Sequence, residues 1–214
     1  MDHSFSPFTP PGIITAMETL AETLGLPRDF LVALLLEDDD WSFVVKCHGL
    51  IESAVCSLLA THLKAPELEG VLAERVDMSA RIEMLSAMGL LTRPQRGMIR
   101  ALGTLRSKLV QSAAHTRFTF AEYFQNSDVA AQFSRTFGAA WPDPVAAGPL
   151  SLPRAAYVMR VPRHAMLADV LAMVNVAAGK RAAEALARFD KLVRQLAADV
   201  DSIRPDLRQV ERAM

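Results

Sequence analysis

The sequence predicts an all-α protein, a bundle of about seven to nine helices with a long C-terminal helical segment. Three observations carry that expectation. Apolar residues recur at steps of three and four, as in Met98, Leu102, Leu105 and Leu109. Helix punctuation separates the runs: Gly25 follows one, and Thr92 with Pro94 opens another. Of 214 residues, 51% are hydrophobic and 22% charged, a balance that belongs to an ordered globular chain.

Residues 1–12 contain Pro7, Pro10 and Pro11 and read as a poorly ordered arm. A helix is expected over 13–24, and a second opens at Arg28 or Asp29 and runs to Leu36. This front is acidic. Glu18, Glu22, Asp29, Glu37, Asp38, Asp39 and Asp40 precede Lys46 with only Arg28 against them. They read either as solvated helix ends or as a face for a basic part of the same or a neighbouring subunit.

Residues 41–63 predict a long helix with Val44, Ile51, Val55 and Leu58 on one face. Cys47 and Cys56 are nine apart on it, about 180° around the axis, so they cannot bridge each other and are expected as buried thiols. His48 and Glu52 stand one turn apart. That spacing suits two metal ligands, but no third follows nearby, so a hydrogen-bonded pair in the helical core is expected and no metal. His3, His62 and His164 have no companions that form a site. Without a glycine-rich phosphate loop, GxSxG, HExxH or paired CxxC, no cofactor is expected.

After a short helix over 67–76, residues 79–120 read as the stretch around which the chain is organised. Gly89-Leu90-Leu91 ends one helical arm, Thr92 caps the next, and Pro94 fits its first turn. The second arm buries Met98, Leu102, Leu105 and Leu109. Its other faces are basic: Arg93, Arg96, Arg100, Arg106, Lys108 and, beyond it, Arg117 stand in a stretch with no acid between Met84 and Ala121. Phe118 and Phe120 at alternate positions suit either base stacking or core closure, with closure favoured because no other aromatics interleave with the cations. Short helices are expected over 121–124 and 129–137.

Five prolines and two glycines in 138–162 predict an extended connector, with 155–161 as a short strand. The rest, 163–203, predicts helix. Within it Leu186, Phe189, Val193, Leu196, Val200 and Ile203 form a seam that packs on the domain's own core or on a second copy in a homodimer. The domain plan is therefore 13–137, a connector, and 163–214 on the same core.

In its central part the chain resembles a known family. Arg81-Ile82 with Gly89-Leu90-Leu91, then Leu105-Arg106-Ser107-Lys108-Leu109-Val110, then Phe118-Thr119-Phe120 are similar to the mannitol operon repressor group and related HEPN-type helical domains. Gly49-Leu50-Ile51-Glu52 resembles that family's preceding helix, and the likeness spans 38–124. It implies a role in transcriptional regulation. In catalytic HEPN domains, an arginine and a histidine five residues later cleave RNA without metal. Here Gln111 stands at the histidine position, and an amide neither gives nor takes a proton. His115 is the available stand-in, but it lies nine residues past Arg106, about 180° around a straight helix.

A net charge of −1 argues against a surface made for duplex DNA. No apolar run approaches the roughly 20 residues of a membrane span, and the N-terminus lacks a signal-peptide pattern, so a cytoplasmic protein is expected. The expected function is a non-enzymatic regulator or adaptor that binds a protein partner through Arg93, Arg96, Arg100, Arg106, Lys108 and Gln111. A metal-independent endoribonuclease using Arg106 and His115, or an RNA-binding protein without catalysis, is the alternative.

Overall fold

The computed structural model describes residues 11–178 apart from 24, 140, 148 and 149. Over these described residues it is an all-α bundle, 75% helical, with ten α-helices. In chain order these are α1 (Pro11–Thr23), α2 (Phe30–Leu35), α3 (Asp40–His62), α4 (Glu69–Arg75), α5 (Met78–Ala87), α6 (Arg93–Val110), α7 (Phe120–Tyr123), α8 (Ser127–Thr136), α9 (Arg154–Arg160) and α10 (Pro162–Ala178). The seam of residues 186–203 and the arm at 1–10 lie outside the described residues.

The helix at the centre is α3, not the pair over 79–120. It buries Phe43, Val44, Cys47, His48, Leu50, Ile51, Ala54, Val55, Cys56, Leu58, Leu59 and Ala60, which lie on more than one face. A helix apolar on most sides belongs in the interior, and α4, α5, α6 and α10 all pack on it, α10 most extensively. By length and a mean hydropathy of 1.5, α3 is also apolar enough to cross a membrane, although the sequence reading found no such run; 67% of that window is buried by the other helices. Asp39 starts the helix by accepting a hydrogen bond from the Ser42 N–H at 2.6 Å.

The hairpin signals act as expected at their ends. Gly89 takes φ +71°, its N–H donates to the Ser86 carbonyl, and the Leu90 N–H donates to Leu85, which is a glycine-dependent helix stop. Thr92 and Gln95 then cap α6 reciprocally. Yet α5 and α6 each pack chiefly on α3, so the pair is two helices laid on a common support.

The expectation for 138–162 is corrected. Val145–Ala147 (β1) and Leu150–Leu152 (β2) pair antiparallel, Val145 opposite Leu152, and 155–161 is not a strand because α9 occupies it. Pro153 precedes that helix and breaks nothing, since proline suits a helix start. Trp141, Val145, Tyr157 and Val158 are buried in the same core as α3, so this stretch is packed structure and not a spacer.

Candidate functional site

The basic helix α6 divides its cations between two places. Met98, Ile99, Leu102, Leu105 and Leu109 are buried. At about 100° per residue, Arg93, Arg96, Arg100 and Lys108 fall on the opposite side, and Gln111 continues that line as the C-cap residue. Arg93, Arg100, Lys108 and Gln111 are exposed and Arg96 half-buried. Arg100 pairs with Glu83 of α5. Among the described residues no carboxylate pairs with Arg93, Arg96 or Lys108.

Arg106 does not belong to that face. It lies about 200° from Lys108 around the axis, is half-buried, and its charge acts on His48 of α3. His48 is 7% exposed, and its Nδ1 is 3.4 Å from Glu52 Oε2, the pair expected from their spacing. A Cβ on Gly103 would stand 3.6 Å from His48 Nε2, so the glycine lets α6 approach the ring closely. Burial, above all, lowers the His48 pKa from its ordinary value; Glu52 opposes that, while Arg106 and Arg81 push it further down. The ring is therefore held neutral and largely out of solvent's reach.

His115 has a partner of its own, the backbone of Lys108. α6 does end at Val110, and His115 sits in the 3-10 turn Ala113–Arg117 that follows. But its Nδ1 lies 2.7 Å from the Lys108 carbonyl oxygen; since a carbonyl only accepts, Nδ1 carries the proton. The next carbonyl, of Leu109, accepts from Trp41 Nε1 at 3.2 Å. The last turn of any helix leaves its carbonyls without partners, and His115 and Trp41 close two of them here. The imidazole nearest in effect to Arg106 is thus His48, a relation the sequence reading did not draw.

Phe118 and Phe120 join an aromatic cluster with Phe43, Tyr123, Phe124 and Phe133, edge to face at centroid distances such as 5.4 Å for Phe118–Phe120. They close the core. The acidic front likewise has its own partners: Glu18 with Arg28 at 2.8 Å, Glu37 with Lys46, and Asp40 with Arg163 of α10 at 2.5 Å. No ion pair joins it to α6 among the described residues.

Cys47 and Cys56 are buried thiols as expected, and burial pushes the Cys47 thiol up, away from reactivity. Among the described residues no group of three or more His, Cys, Asp or Glu is placed to hold a metal. The sequence reading missed Arg81. It is 4% exposed, and the signal was available: position 81 falls between Met78 and Leu85, inside the apolar stripe of α5. Compared with protein-family models, curated proteins and solved structures, the chain matches none.

Proposed function

We propose that this chain is a non-enzymatic helical regulator or adaptor whose exposed α6 face docks an acidic segment of a protein partner, the role implied by its resemblance to the mannitol operon repressor group. One observation carries the reading: Arg93, Arg96 and Lys108 lie on a well-capped helix with no carboxylate partner among the described residues, beside Gln111, which cannot titrate. A row of unpaired cations on a fixed scaffold steers and orients an anionic partner. The aromatic rings that RNA would stack on are spent in the core. The test is affinity capture from the native host with wild type and with the Arg93→Glu, Arg96→Glu, Lys108→Glu variant, before and after nuclease treatment. The reading expects a protein that survives nuclease and is lost with the variant; a captured species that nuclease removes sinks it.

The ribonuclease alternative would use Arg106 with His115. Two observations weigh against it: the His115 ring is bonded to the Lys108 carbonyl, and the charge of Arg106 acts on His48 of α3. Single-stranded RNA incubated with excess protein in chelator is expected to stay intact. Cleavage that disappears in Arg106→Ala would reinstate the enzyme.

A further inference from the structure

A second place in the molecule carries a charge with no carboxylate partner among the described residues. Arg81 of α5 is 4% exposed, and among the described residues no carboxylate comes within ion-pair distance of it. One terminal nitrogen donates to the Cys56 sulfur at 2.8 Å, a weak acceptor. Its Nε is buried without any partner. A guanidinium taken out of water and left with a thiol is costly to keep, because a buried cation needs an anion to offset the lost hydration.

The same arginine lines a cavity of about 310 Å3 between α3, α4 and α5. Glu52 of α3 and Glu69 of α4 line it as well, with the exposed Gly70 and Ala73 of α4 at its side, and there is open space where a Gly70 side chain would project. Glu52 is shared with His48 and 43% exposed on its side chain; Glu69 has no ion pair among the described residues. A volume near 300 Å3 is at the small end of ligand sites. The lining therefore combines one guanidinium with two carboxylates.

We infer that this cavity binds a small zwitterion of the α-amino-acid class, its carboxylate on Arg81 and its ammonium between Glu69 and Glu52. A polyanion such as a nucleotide would meet the two glutamates and be repelled. A simple cation would meet Arg81. A small ligand carrying both charges answers the guanidinium and the carboxylates together, and a volume of about 310 Å3 suits a short side chain.

The test is thermal melting of the full chain with glycine, alanine, serine and cysteine, set against acetate and methylamine at equal millimolar concentration. At least one amino acid is expected to raise the melting temperature, and neither half-ligand to match it. The response is expected to vanish in Arg81→Met and in Glu69→Gln. Glu69 is only part-buried, so its variant keeps the fold and the test stands even where Arg81→Met does not. No shift with any amino acid, an equal shift with acetate alone, or an undiminished response in Glu69→Gln would overturn the assignment. None of these results bears on the α6 face.

Discussion

At the scale of single residues, the structure places two groups under tension that stability measurements can read. Lys64, just past α3, takes φ 54°, and the Lys64 and Ala65 N–H groups donate back to Thr61 and Ala60 as a helix stop normally built on glycine. A side chain in that left-handed region costs energy that glycine avoids, so Lys64→Gly is expected to stabilise the fold by about 0.5–1 kcal/mol in urea denaturation. His48 gives a pH dependence of definite sign. Unfolded, it takes a proton near the ordinary value of about 6.5, while folded it resists to a lower pH. Its contribution is present above that ordinary value and is lost as pH falls from there through the folded value. Melting temperature is therefore expected to fall between pH 7 and pH 5, and to fall less in His48→Gln; an identical acid limb in the variant would remove His48 as the cause. The His48–Glu52 pair and the Thr92 cap were legible because both are local spacings. The meeting of His48 with Arg106 was not, because it depends on how closely α6 crosses α3 at Gly103.

At the scale of elements, three helix starts converge on one carboxylate. Asp40 opens α3, accepts the Phe120 N–H that starts α7 at 2.7 Å, and accepts Arg163 Nε at the start of α10 at 2.5 Å. Arg163 also donates to the Glu37 carbonyl and lies 5.4 Å over the Phe43 ring. Asp40→Ala is expected to cost about 2 kcal/mol, since it strands a part-buried guanidinium and a backbone N–H together. A double-mutant cycle with Arg163→Ala measures the shared part; strict additivity would show that the two do not act as a unit. Gly138, at φ +71° with its N–H on Asp169, faces Val158 at 2.8 Å from where a Cβ would stand. Gly138→Ala is therefore expected to lower the urea midpoint by at least as much as Asp40→Ala does, and a variant as stable as wild type would contradict the packing described. The element types were readable from periodicity through residue 137. Beyond it, prolines concealed α9 and the hairpin, because Pro153 and Pro162 stand at helix starts, where proline is harmless, and the sequence does not say which start they mark.

At the scale of the whole molecule, most ion pairs among the described residues gather at the front of the chain, while buried Arg81 and three cations of α6 have no carboxylate partner there. Glu18, Glu37 and Asp40 of the acidic front pair with Arg28, Lys46 and Arg163, which tie α1 to the loop before α2, the loop before α3 to α3, and α10 to α3. Among the described residues, Arg93, Arg96 and Lys108 of α6 have no carboxylate partner, and they share one helix. The sequence disclosed the excess of cations there but not which ones are paired, since Arg100 is tied to Glu83 and the charge of Arg106 acts on His48. The most direct measurement is the affinity of the captured partner as a function of ionic strength, for wild type and for the variant reversed at Arg93, Arg96 and Lys108. Docking through this face predicts binding that weakens steadily with salt in the wild type and is lost, or flat against salt, in the variant. An affinity indifferent to both salt and the three reversals would contradict it.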